Sequence, residues 1–144
     1  MASFPIRHAD VYDWRMETVT LAPLRAAMTS AAVTELTAGI PPEVFEANEN
    51  AGAIVRAILV NNVPAGIVMV TIDRELMIAV GSTFRRHGVA TQALELVKAA
   101  AKASGYSQLS AQAQVGAPSN GLLAKCGASE SHRDPTTIYY VLTL

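Results

Sequence analysis

Hydrophobic and polar positions divide the chain near Gly52. Before it, residues 12–36 are rich in Ala, Leu and Met, which favours helix, and Pro23 splits that run into at least two helical pieces. Upstream, residues 6–9 predict a short first strand, with Asp10 a cap for a helix starting near Val11 or Tyr12. Gly39-Ile40-Pro41-Pro42 interrupts the chain. Pro42-Glu43-Val44-Phe45 then predicts another short helix, because proline suits a first helical turn.

Past Gly52 the pattern changes to strands. Residues 54–60, 63–72 and 75–84 predict a three-stranded meander, turning at Asn61-Asn62 and at Asp73-Arg74. A loop over 85–88 leads into a helix over 89–104. Along it Val89, Ala93, Leu96, Val97 and Ala100 recur at helical spacing, while Gln92, Glu95, Lys98 and Lys102 fall off that stripe. Gly105 suits the position just past its end. A strand over 108–115 precedes the breaker Gly116-Ala117-Pro118, and a short helix over 119–126 ends at Gly127. In the last strand, 137–144, Ile138, Tyr140 and Leu142 alternate with Tyr139, Val141 and Thr143. The order β, helices, β-β-β, α, β, α, β predicts an α/β fold: a mixed sheet with helices on its faces. Without repeat, linker or charge block, residues 1–144 read as one domain.

Composition narrows the function classes. A chain of 144 residues with 51% hydrophobic content buries one proper core. Its formal charge of −1 and 16% charged residues argue against disorder and against a strongly steered polyanion binder. Arg74, Arg85 and Arg86 form too small a basic patch for nucleic acid, so none is expected as a partner. Arg56 interrupts the most apolar run, so no membrane span is expected, and Met1 to Arg7 lacks the pattern of a signal peptide. The single cysteine, Cys126, can neither pair within the chain nor build a zinc site, and no metal site is expected. These readings point to a cytoplasmic protein. Cys126 reads as a small buried residue, His8 and His132 as surface or satisfied histidines, and Tyr12 and Trp14 as packing anchors.

The stretch Val80-Gly81-Ser82-Thr83-Phe84-Arg85-Arg86-His87-Gly88-Val89-Ala90 runs a strand into a short loop and straight into a helix. A helix N-terminus leaves about four backbone N–H groups without partners and carries roughly half a positive charge, so it favours phosphate. Gly88 and Ala90 put no bulk in the way of a diphosphate, and Arg85, Arg86 and His87 add donors and positive potential. Neither a dinucleotide-binding G-x-G-x-x-G nor a P-loop G-x-x-x-x-G-K-S/T is present. An ordinary strand-to-helix turn with exposed arginines would show the same spacing.

Arg85-x-x-Gly88-x-Ala90 resembles the Q/R-x-x-G-x-G/A signature of the GNAT superfamily of N-acetyltransferases. Gly105-Tyr106-Ser107-Gln108-Leu109 is similar to that family's G-Y-x-x-L segment, and Leu122-Leu123-Ala124-Lys125-Cys126-Gly127-Ala128 to its L-Y-E-K-L-G-F segment. The resemblance implies the GNAT fold, in which two central strands splay apart and a pantetheine arm lies in the gap. It implies acetyl-CoA as cosubstrate, with Val80, Arg85, Arg86, His87, Gly88, Val89, Ala90 and Thr91 around it. The acceptor it implies is a primary amine, attacking the thioester directly.

Two positions depart from that family's pattern. Counted back from Gly127, its usual Tyr falls on Leu123 and its usual Asn on Gly116. A leucine donates no proton, and losing one positioned general acid costs about 10²–10⁴-fold. Glu75, with Asp73 beside it as a substitute, is the candidate base; a solvated turn carboxylate is the competing reading. Glu35, Glu43, Glu46 and Glu49 make the first half acidic, which suits a cationic amine or a solvated helix face. The alternative is a catalytically silent GNAT-fold protein, a structural or interaction part. Residues 35–42 and 63–66 resemble small GNAT-like proteins of tailed phages, which would place the chain in a virion. Assembly is open: a homodimer through an exposed final strand, or a larger protein complex.

Overall fold

The computed structural model describes residues 18–84 and 88–144. Strand β1 (Val19–Pro23) is followed by helices α1 (Leu24–Ala27), α2 (Ser30–Leu36) and α3 (Pro42–Asn50). The hairpin strands β2 (Ile54–Val60) and β3 (Val63–Val70) lead to β4 (Leu76–Val80). Helix α4 (Val89–Ala103), β5 (Gln108–Gln114), α5 (Ser119–Lys125), β6 (Ser129–Arg133) and β7 (Thr137–Thr143) complete the chain. The strands form a four-stranded sheet, β1-β2-β3-β4, and a three-stranded one, β5-β7-β6. Every ladder within them is antiparallel. One parallel bridge, Glu75 with Ser110, joins the two and makes the whole a mixed sheet flanked by helices.

Local chemistry explains the elements. Asn61 and Asn62 have φ of 50° and 69°, the left-handed conformation a two-residue hairpin turn demands. Pro42 opens α3, and Phe45 on its inner face is completely buried. The sheet β1–β4 is covered on both sides, which is why β2 and β3 are apolar without alternation. On one face Ile58, Val68 and Val70 pack with Leu94 and Val97 of α4; on the other Val55, Ile67 and Met69 pack with Val33 of α2 and Phe45 of α3. Gly66 allows β3 to meet β4 closely, since a Cβ there would clash with the Ala79 carbonyl oxygen.

The structure corrects the sequence reading in four places. Residues 19–23 form an edge strand, not helix: Val19 to Pro23 pair with Val60 to Arg56, and Pro23 sits at the strand's end, where a missing N–H is tolerated. The third meander strand stops at Val80. The Gly81 N–H donates to the Ala65 carbonyl, and residues Ser82–Phe84 turn into a 3₁₀ helix. The buried stripe of α4 is Val89, Ala93, Leu94, Val97 and Ala101, whereas Leu96 is 39% exposed. Finally, β6 pairs along β7, so the last strand is the centre of its sheet and offers no free edge for a copy of the chain. Every residue of β6 is exposed, so its sequence carries no alternation to announce it. The predicted first strand, the Asp10 cap, Tyr12, Trp14 and His8 lie outside the described residues.

Candidate functional site

The site begins where the two sheets meet. The Ser110 N–H donates to the Arg74 carbonyl at 2.9 Å, closing the single β4–β5 bridge at the start of both strands. Beyond it the two parallel neighbours have no further ladder. Register dictates what they present to each other. The Thr71 N–H donates to the Glu75 carbonyl and the Gly81 N–H to Ala65, so odd-numbered residues of β4 spend their peptide groups on β3. The alternation therefore turns the N–H and C=O of Ile78 toward β5, across a gap that no further strand pair spans.

A cleft of about 510 Å³ follows that gap. One wall is β4, with Leu76, Met77 and Ile78. Below lie Leu122 and Leu123 of α5, with Tyr140 of β7. Tyr140 is buried and donates its hydroxyl hydrogen to Asn120 Oδ1 at 2.6 Å; Asn120 Nδ2 in turn donates to the carbonyls of Gln114 and Ala117 at 2.7 and 3.0 Å. On the opposite face, which carries no helix of the described residues, stand Gln112, Tyr139 and His132, side by side across β5-β7-β6. The His132 and Tyr139 rings stack at 4.3 Å with an interplanar angle of 11°. Glu75 lines the closed end with its side chain exposed, and its N–H is held by Thr71 Oγ1 at 3.1 Å.

Helix α4 starts at the other end of β4. Gly88 is its N-cap in the left-handed conformation, φ 73° and ψ 10°. Among the described residues no side chain caps this N-terminus, and its first turn holds no acidic residue, so its leading N–H groups present a partial positive charge. Val80 and Val89 are buried, Ala90 and Thr91 half-buried. The fold thus sets Val80, Gly88, Val89, Ala90 and Thr91 around one strand-to-helix turn. Arg85, Arg86 and His87 lie outside the described residues.

The strand pair that parts beyond one bridge thus leads to a helix opened by glycine. Residues 9–128 match the model of the acetyltransferase (GNAT) family. The chain belongs to the GNAT acetyltransferase family. Among solved structures, the GNAT-fold ribosomal-protein-S18-alanine N-acetyltransferase of Escherichia coli is 16% identical, with a TM-score of 0.71 over 89% of this chain and 94% of that one. The yncA protein of Salmonella typhimurium, solved with its cofactor acetyl-CoA, is 14% identical at the same TM-score, 0.71, and the same coverage, 89% and 94%. The microcin C7 self-immunity acetyltransferase MccE, solved with acetyl-CoA and AMP, is 19% identical with a TM-score of 0.60. This chain spans only 64% of MccE, which covers 67% of this chain. No curated protein matches it in sequence. Neither the fold nor these matches point to a phage particle.

Within this GNAT fold, Leu123 lines the cleft as a buried leucine, and Gly116 lies in the turn before α5 with φ 83°. The polar groups that do reach the cleft near α5 are Ser119 and Tyr140. Sequence reading missed Asn120 because its partner lies 20 residues away on β7. His132, expected as a surface or satisfied histidine, is exposed, and the pairing of β6 with β7 sets it beside Tyr139 in the cleft wall, a placement that sequence reading did not supply. Cys126 is buried, and burial, then the Glu95 charge, push its thiol up, which keeps thiolate scarce. No helix of the described residues is long and apolar enough to cross a membrane.

Proposed function

We propose that the chain is an acetyl-CoA-dependent N-acetyltransferase that passes the acetyl group to a primary amine by direct attack within a ternary complex. The observation that carries this reading is the one-bridge junction of β4 and β5. It leaves the Ile78 peptide facing an open gap that is continuous with a cleft of about 510 Å³. A pantetheine arm is an extended chain with two amides, and an unpaired strand edge is the natural partner for such a chain. The N-terminus of α4, with glycine at its cap and no side-chain cap among the described residues, fits a diphosphate at the end of that arm. Val80, Gly88, Val89, Ala90 and Thr91 would hold it, with Arg85, Arg86 and His87 adding charge.

Acetyl-CoA supplies a thioester carbonyl activated for attack. The chain's own part is to hold that carbonyl in the gap, where the Ile78 N–H can polarise it, and to bring the amine from the open face of the β5-β7-β6 sheet. Glu75 at the closed end supplies a negative charge toward an ammonium acceptor.

The test is thermal. Acetyl-CoA at about 1 mM should raise the melting temperature by mass action, and free thiol should then appear with at least one member of a panel of tyramine, spermidine and alanine amide. No melting shift would end the cofactor reading. A shift without thiol release would favour a binding protein of GNAT fold.

A further inference from the structure

We infer that His132 takes the proton from the acceptor amine. This rests on the acetyltransferase reading and names the group that reading leaves open.

Three observations converge on that side chain. First, His132 shares the cleft with Met77 and Ile78 on the β4 wall, although it comes from the far strand of the other sheet. Second, two contacts fix the ring. It stacks on Tyr139, and its Nδ1 lies 2.9 Å from Ser131 Oγ. Third, its neighbours engage one ring nitrogen and leave the other open. Ser131 has one hydroxyl hydrogen, and the Tyr139 carbonyl lies within its reach at 3.3 Å. With that hydrogen on the carbonyl, Nδ1–H donates to Ser131 Oγ across 2.9 Å and the neutral imidazole carries its lone pair on Nε2, which is the tautomer this role requires. Nε2 has no partner among the described residues.

Chemistry favours an imidazole over the carboxylate that the sequence offered. A general base works best when its protonation midpoint lies near the working pH, which imidazoles meet as a class and carboxylates do not. Glu75 is also set at the bridged end, where the strands have not yet parted. The charged neighbours of His132 are accounted for. Glu130 and Arg133 on its own strand pair with each other at 2.6 Å. On the adjoining turn and strand, Asp134 is engaged by Thr136, Thr137 and the Tyr139 hydroxyl, which holds the far side of the stacked ring. Glu75 is the ionisable group on the opposite wall.

The step balances. The amine nitrogen bonds to the thioester carbonyl carbon and its surplus proton passes to His132 Nε2. The carbon–sulfur bond breaks with its electron pair on sulfur. The thiolate takes a proton from water or from the imidazolium, which returns the histidine to neutral.

The experiment compares the full chain with His132→Gln and His132→Ala, after confirming that their melting temperatures and acetyl-CoA shifts equal the parent's. Thiol release is followed with tyramine, spermidine and alanine amide from pH 6 to 10. The variants should lose at least about tenfold in kcat/KM at pH 7 and recover as the amine deprotonates at higher pH. Added imidazole should restore part of the rate to His132→Ala, an effect no packing role would give. Variants that keep the parent's pH profile overturn the inference. So does a parent that binds acetyl-CoA but releases no thiol at any pH, whereas a parent with no acetyl-CoA shift brings down the cofactor reading itself.

Discussion

Tyr140 donates its hydroxyl hydrogen to Asn120 Oδ1 at 2.6 Å, and that contact ties strand β7 to the first turn of α5. The amide's orientation is not in question, because its nitrogen is already spent on the carbonyls of Gln114 and Ala117. The tyrosine is therefore a brace that fixes the cleft floor. Tyr140→Phe leaves a half-buried acceptor without its donor and should cost about 0.5–1.5 kcal/mol of stability, read by denaturant unfolding. Asn120→Ala should cost at least as much, since three contacts go at once.

Gly88 holds φ 73° at the start of α4, where a β-branched side chain is strained. Gly88→Val should lower stability by about 1–2 kcal/mol and abolish the melting shift produced by acetyl-CoA. Gly105→Ala, at φ 92° beyond the helix's other end, should cost about as much yet leave that shift intact. Differential scanning calorimetry of both variants, with and without acetyl-CoA, separates strain from binding.

The Glu75 carboxylate faces the cleft from its closed end. If it attracts an ammonium acceptor, Glu75→Gln should raise the KM for spermidine several-fold while changing kcat little. The difference should shrink at high ionic strength, because an exposed charge is screened. A fall in kcat with unchanged KM would instead give Glu75 the role of proton acceptor.

Asp134 makes the turn from β6 to β7 sensitive to acid. The backbone N–H groups of Thr136 and Thr137, with smaller help from Thr136 and Tyr139 hydroxyls, hold its carboxyl below the usual aspartate range. Its folded value is lower than its unfolded one. The stability it contributes is therefore present above the ordinary aspartate value of about 3.9 and is lost as pH falls through the folded value beneath it. Asp134→Asn should melt lower than the parent at pH 7 and converge with it near pH 2. Melting curves at half-unit steps check this.

The legible parts of this fold are those whose signals are local. Asn61-Asn62 announced its hairpin, Pro42 its helix start, and Gly88 and Gly105 bracket α4 almost to the residue. The turn that would cradle a diphosphate is itself a local motif and was visible for the same reason. What failed depends on partners far along the chain. Val19–Pro23 became a strand only because β2 was there to pair with it, and an Ala- and Leu-rich context outvoted its β-branched Val19 and Thr20. Helix α4 is rotated so that Leu94 rather than Leu96 meets the core, a choice made by the sheet beneath it. His132 and Asn120 gained their places through β7, which no spacing along the sequence displays.

Residues of α4 share one core with both sheets: Leu94 and Val97 belong to the same cluster as Val68 of β3 and Leu109 and Leu142 of the smaller sheet. Two leaves hinged at a single point thus hang from a common beam. How far they stand apart is decided by the girth of side chains under that beam, at a remove from anything a ligand touches. Trimming Val97 to alanine should let the leaves sag together, so that grip on the cosubstrate and resistance to heat decline in step.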